Sequence, residues 1–387
     1  GLGGGGASST SAGNGGSEPF TPGPHGPPPQ VVSLGGKVIT APKVVAITYD
    51  SDPHQADIDA ALKEMAATPF WAATTAEYGV GALTVLPPIH RAEAPPKNLS
   101  SFALEQTLVG KLSGASPAWG EADPSTVYLF ILPEGTVIDA GGNCCDGYDG
   151  YHDDIKVGAT RVAYGVACTC PGFDGPGVSD LQQVTVVMSH ELVEAVTDPF
   201  TNPPAFAQTD DDHAIWSIET GGETSDLCTL DLDSYYVQPG TKYMIQKSWS
   251  NASALAGKDP CVPAGPDPYF NSVPVLEDPV TIDYFGPWET KGVTIPVGQT
   301  RVIDVQLFSE APTAGPWTVK ALDVNSDLFG GKKRLDLTLD KDSGVNGDVL
   351  KLTIKVLSAD TQLDGESFAI ASSLNGQDNL WFGVVGN

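Results

Sequence analysis

The chain reads as an α/β (α+β) domain over residues 31–266 followed by an all-β, immunoglobulin-like sandwich over residues 267–387. Three observations predict this. At 387 residues the chain is too long for one compact core of ordinary size. Strand-like and helix-like stretches alternate as far as Pro266, and period-two alternation takes over beyond it. All six cysteines and all six histidines precede Pro266, so any chemistry belongs to the first part.

Residues 1–30 hold 10 Gly and 6 Pro and cannot bury enough apolar surface to offset their ordering entropy. They are expected to form a flexible tether, of the kind that joins a lipid anchor to a secreted domain. Without an initiator Met or a signal peptide, the sequence reads as a mature, processed form. Val44–Tyr49 is a buried strand bounded by Pro42 and the Asp50–Pro53 turn. Asp57–Tyr78 has helical spacing and is split by Pro69, and Ser101–Leu112 is a second amphipathic helix. Val127–Leu132 and Val162–Val166 are further strands. Leu181–Thr197 is the strongest helix, stopped by Asp198-Pro199. Tyr235–Val237 and Lys242–Gln246 suggest a hairpin. Past Pro266, Arg301–Leu307, Leu335–Leu339 and Leu350–Val356 alternate apolar and polar residues between Gly, Asn and Asp turns, which fits a sandwich of about seven strands.

Lys and Arg total 20 against 48 Asp and Glu, a formal charge of −28, which argues against nucleic acid or anionic lipid as a main partner. No apolar run reaches the roughly 18 residues of a membrane-spanning helix. The even cysteine count in this Lys-poor chain reads as disulfides in an oxidising compartment, hence a secreted or surface-tethered protein. A cysteine metal cluster is the alternative, but the pairs Cys144/Cys145 and Cys168/Cys170 lack the usual ligand spacing. The expected bridges join the 144/145 pair to the 168/170 pair, and Cys228 to Cys261.

One constellation carries chemistry. In the apolar helix, His190 and Glu194 stand four apart, so an imidazole nitrogen and a carboxylate oxygen can meet one metal ion. Glu191, one step round the helix, can reach a metal-bound water. The pattern is the zincin helix His-Glu-x-x-His with Glu in place of the second His. An ordinary helix contact between His190 and Glu194 is the bland alternative, but burying three ionisable groups among apolar neighbours is costly without a metal or partner.

The stretch Ser189-His190-Glu191-Leu192-Val193-Glu194-Ala195-Val196-Thr197-Asp198-Pro199 resembles the "SHELxEAxTDP" signature of bacterial secreted relatives of the plant phosphate-induced (EXORDIUM-like) proteins. Leu34–Thr40 with the strand after it, Cys145–His152, Gly222–Cys228 ("GExxDLC") and Gln246–Asn251 ("QxxWSN") are similar to further family elements in the expected order. The likeness covers roughly residues 34–262. It implies a zincin-like metallopeptidase domain with Zn2+ held by His190 and Glu194 and with Glu191 as general base. A third ligand is implied from the "GExxDLC" element, Glu223 first and Asp226 next.

Asp198 continues the same helical face, where it either orients the metal's ligands or ends the helix. His152 is either an oxyanion-stabilising donor or a satisfied loop histidine, and Tyr151 has the same two readings. Asp210-Asp211-Asp212-His213 either holds a structural Ca2+ or is a solvated acidic loop. Two carboxylates and one imidazole make a harder site than three nitrogens, which weakens the preference for zinc. The expected activity is hydrolysis of a peptide or protein substrate. The rival is a non-catalytic surface protein with a structural metal, whose sandwich binds glycan or protein. Neither a glycosidase carboxylate pair nor a Gly-x-Ser-x-Gly elbow is recognisable.

Overall fold

The computed structural model describes residues 19–231, 233–284, 286–358 and 365–386. The first part is built from β1 (Lys43–Tyr49), α1 (Gln55–Ala67), α2 (Pro69–Thr75), β2 (Thr84–Val85), β3 (Ile89–Arg91), β4 (Asn98–Ser100), α3 (Ser101–Leu112), β5 (Thr126–Leu132), β6 (Val137–Asp139), β7 (Gly150–Val157), β8 (Thr160–Cys168) and α4 (Asp180–Thr197). One sheet runs in the order β2-β1-β5-β8-β7, with β3 also on β1. All its pairs are parallel except the last, where β7 turns back along β8 through Gly158, at φ +61°.

Alternation along β1 explains the layers. Val44 and Ala46 pack under α1, α2 and α4, together with Ile58, Leu62, Trp71, Val187 and Leu192. Val45, Ile47 and Tyr49 face the other way, onto Leu104, Leu108 and Leu112 of α3. Burial on both faces is why β1 and β5 read as continuous apolar runs. Helix α4 starts in a capping box, with Ser179 accepting from Gln182 N and the Gln182 side chain reaching back. It is buried almost all round, between the sheet and a hairpin that follows.

That hairpin is β9 (Tyr235–Val237) with β10 (Met244–Gln246), preceded by α5 (Ala214–Thr220). A short ladder of β11 (Ser248–Trp249) and β12 (Cys261–Val262), joined through α6 (Asn251–Leu255), closes the first part.

The second part has β13 (Phe270–Pro274), β14 (Asp278–Asp283), β15 (Pro287–Thr294), β16 (Thr300–Ser309), β17 (Trp317–Asp323), β18 (Leu335–Leu339), β19 (Ser343–Gly344), β20 (Val349–Val356), β21 (Gly365–Leu374) and β22 (Gln377–Gly386). Sheets β13-β16-β20-β18 and β14-β15-β22-β21-β17-β19 share one apolar core, with Val305, Leu307 and Leu352 from the first against Val319, Phe368 and Ile370 from the second. There are more strands than the expected seven, because the β14–β15 hairpin and the two-residue β19 extend one sheet.

Two expectations need correction. The tether lies partly outside the described residues, but residues 19–30 are packed. Gly23 N donates to Asn346 Oδ1 (2.6 Å), the His25 ring stacks on Phe308 with centroids 3.7 Å apart, and His213 Nε2 meets Pro27 O at 3.0 Å. A side chain at Gly23 would meet Leu307 O, so glycine there lets the strap lie flat on the sandwich. The Pro-rich composition signals extended chain, and here that chain finds a surface.

Cysteine pairing bears out the Cys228–Cys261 bridge and one bridge between the 144/145 and 168/170 pairs, and corrects the other. Cys145–Cys170 and Cys228–Cys261 form disulfides with Cα separations of 5.3 and 5.8 Å. Cys144 and Cys168 are buried free thiols that hydrogen-bond each other. Cys144 is also held by Ile138 N, 3.3 Å from its sulfur.

The two parts share a core at α5. Trp216 packs edge-to-face on Trp249 (5.6 Å) of the first part and on Trp381 (5.9 Å) and Phe382 (5.1 Å) of the sandwich. Lys291 of β15 pairs with Asp212, just before α5. Trp216→Ala is therefore expected to cost about 3–5 kcal/mol, read as a lower urea midpoint. A loss under 1 kcal/mol would contradict the shared core.

Candidate metal centre

Three stretches converge on one buried cluster: β7 with His152, α4 with His190, Glu191 and Glu194, and the turn after α5 with Glu223 and Asp226. His190 Nε2 lies 3.0 Å from Glu194 Oε2 and 3.5 Å from Asp226 Oδ1. His152 Nδ1 lies 3.4 Å from Glu191 Oε2 and 3.8 Å from Glu194 Oε2, and its Nε2 is 3.5 Å from Glu223 Oε1. Glu191 and Glu194 side chains are 6% and 3% exposed, against 11–20% for His152, His190, Glu223 and Asp226. The cluster is thus deep on the helix side and reachable from solvent on the other.

The surroundings aim these groups. Gln246 donates from Nε2 to Ser225 O (2.7 Å), which leaves its Oε1 to accept from His190 Nδ1 (3.0 Å). The His190 Nδ1 proton is thus directed to Gln246, and Nε2 faces the carboxylates, able to bind a metal once it gives up its own proton. Glu194 Oε1 accepts from the backbone N–H groups of Ser225 and Asp226, each at 3.0 Å, leaving Oε2 toward the imidazoles. The turn is fixed by Trp249 N donating to Thr224 O (2.7 Å) and by the Cys228–Cys261 disulfide two residues beyond Asp226.

Glycine makes the room. A Cβ at Gly150 would meet Val187 Cγ1 at 2.4 Å and Glu191 Oε1 at 2.5 Å, so only glycine lets β7 pass so close to α4. Gly221, at φ +115°, would put a Cβ 2.1 Å from Asp226 Oδ2.

Charge is unbalanced here. Burial pushes Glu191, Glu194 and Glu223 above the usual carboxylate range. Burial alone would lower both histidines, but the carboxylates outweigh it and hold His152 and His190 well above their ordinary value. Asp198 accepts from Ala205 N and contacts Glu223; burial first, then Glu223, raise it to about 6. Two imidazoles and several carboxylates fit a divalent cation, in a harder, more oxygen-rich set than a zinc triad of nitrogens.

Of the expected site residues, the structure gathers His190, Glu191, Glu194, Glu223, Asp226 and His152, with Asp198 behind Glu223. His152 is corrected from a loop to the edge strand β7, and Glu223 stands beside it rather than beside His190. Tyr151, the next residue, points to the other sheet face, against Tyr148 and Tyr164. Asp210 is taken up by His213 and Gln30 N, and Asp212 by Lys291, so these side chains have protein partners. Sequence reasoning gave no role to Gln246, Ser225, Gly150 or Gly221. The extra glycine directly before "GExxDLC" was the available signal for the last.

No family model matches the chain, and no curated protein is significantly similar to it. Among solved structures, domains 4 and 5 of the S-layer protein SbsC align over 39% of this chain and 87% of that one, at 12% identity and a TM-score of 0.19. Titin M4 aligns over 29% and 93%, at 12% identity and a TM-score of 0.16. Likenesses at that level say nothing about the fold or the site.

Gln246→Ala is expected to weaken divalent metal binding 10–100-fold by freeing the His190 ring, as measured by calorimetric titration. Metal binding at neutral pH is also expected to release protons, because both imidazoles are held charged in the metal-free cluster. Affinity should therefore fall as pH falls, and the heat of binding should depend on the buffer's ionisation enthalpy. Buffer-independent heats would contradict this.

Proposed function

We propose that the protein is a metal-dependent peptidase of an oxidising, extracellular setting, with a zincin-like helix at its centre and kinship to EXORDIUM-like proteins. The observation that supports this reading most is the convergence of His190, Glu191 and Glu194 with acidic side chains of a sequence-distant turn. Two disulfides and the absence, among the described residues, of a helix long and apolar enough to cross a membrane fit the setting.

On this reading His190 and Glu194 hold the ion, with Asp226 beside His190. A bound Zn2+ or similar ion would supply Lewis-acid polarisation of the peptide carbonyl and a more acidic water. Glu191, raised by burial toward the range useful to a general base, accepts the water's proton at a carboxylate oxygen and returns it to the leaving amine. His152 holds Glu191 in place through its Nδ1. The sandwich serves as an accessory part that binds cell-surface glycan or protein.

Two variants test the reading. His190→Ala is expected to lose its metal by elemental analysis. Glu191→Gln is expected to keep the metal but lose about 10²–10⁴-fold in turnover of a peptide library, and a chelator should abolish the wild-type activity. Undiminished activity in Glu191→Gln sinks the mechanism. Metal-dependent melting with no hydrolysis would favour the non-catalytic surface protein instead.

A further inference from the structure

We infer that the cluster holds two divalent cations, with Glu194 shared between them. The inference rests on the metal-dependent reading above and deepens it, replacing His152's supporting role with ligation.

The donor groups fall into two sets, His152/Glu194/Glu223 and His190/Glu191/Glu194, and within each set all donor atoms lie within 4.8 Å of one another. Glu194 is the residue common to both, and each set has its own imidazole. Glu194 Oε2 is the atom between them, 3.0 Å from His190 Nε2 and 3.8 Å from His152 Nδ1. Its other oxygen is already occupied by two backbone N–H groups, which fixes Oε2 in that position. A carboxylate held midway between two imidazole-bearing half-sites is the arrangement a bridging ligand needs.

Charge points the same way. Glu191, Glu194, Glu223 and Asp226 carry four negative charges when ionised, within one partly closed cluster. A ligating imidazole is neutral, so with both histidines bound to metal two divalent ions balance all four charges where Glu191 and Glu194 are almost fully buried. With His190, Glu194 and Asp226 on one side and His152, Glu194 and Glu223 on the other, each ion would have one nitrogen and two oxygens, a borderline-hard donor set that suits Zn2+ or Mn2+, and Glu191 stays free to act as the base. Paired ions of this kind serve hydrolysis by clamping both the attacking and the leaving atom.

The test is stoichiometry on the full chain. Metal-free protein is titrated with Zn2+ by calorimetry, and metal content is measured after desalting. Wild type should bind two equivalents, His152→Ala and Glu223→Gln one each. Glu223→Gln preserves the shape of the site and covers the case in which His152→Ala fails to fold. Loaded with Mn2+, wild type should give the electron paramagnetic resonance signal of an exchange-coupled pair, and Glu223→Gln that of an isolated ion. One equivalent in wild type, unchanged in Glu223→Gln, overturns the second ion and leaves the metal-dependent reading intact. Two equivalents without exchange coupling place the second ion elsewhere and overturn the shared Glu194. No binding at all overturns both.

Discussion

Glu194 is the constraint on which the rest of the site depends. It sits in the last turn of α4, where the helix end already carries partial negative charge, and its side chain is 3% exposed. A carboxylate there is held against both burial and the helix field. Backbone N–H groups of Ser225 and Asp226 offset part of that cost, and they reach Glu194 only because the turn after α5 folds back over the helix. Gly221 lets that turn close, Thr224 ties it to β11, and the disulfide to Cys261 anchors its far end. Removing any of these ties loosens the partners of one carboxylate.

The same logic explains the sheet edge. Among the described residues β7 is the last strand of its sheet and its one antiparallel member, with no strand beside one of its edges, and His152 faces the helix from it. Beneath β7 lie Val187 and Glu191, and Gly150 brings the strand within reach of both. Close approach of strand to helix, rather than any local feature of the Cys145–His152 stretch, makes His152 part of the cluster.

Much of the fold was legible in the sequence because it is written in periodicity. Val44–Tyr49 and Val127–Leu132 had to be strands covered on two faces, Pro69 had to break α1 from α2, and the alternation around Leu350–Val356 had to be one side of a sandwich. The site was legible where it follows helix spacing, as His190 and Glu194 do. It was not legible where it depends on tertiary approach. Nothing in a run such as Tyr151-His152-Asp153-Asp154 distinguishes an edge strand from a polar loop, since Asp153 breaks the alternation. Gln246 could not be tied to His190 across 56 positions. The strap at residues 19–30 was misread for a related reason: composition reports how little a segment can bury by itself, not what a neighbouring sheet offers it.

Carboxylates around a metal also change what the protein must supply. Each anionic ligand cancels part of an ion's charge, so a water bound there is acidified less than in a three-nitrogen site. The deficit falls on the general base. On the proposed reading that base is Glu191, whose proton affinity burial raises and the His152 imidazole at 3.4 Å limits. Filling the space at Gly150 displaces Glu191 directly, whereas loss of His152 leaves it buried beside Glu194 with one less compensating charge. With Glu194 at the position that a His-Glu-x-x-His helix would fill with histidine, the cluster takes its second imidazole from the strand, as His152 of β7.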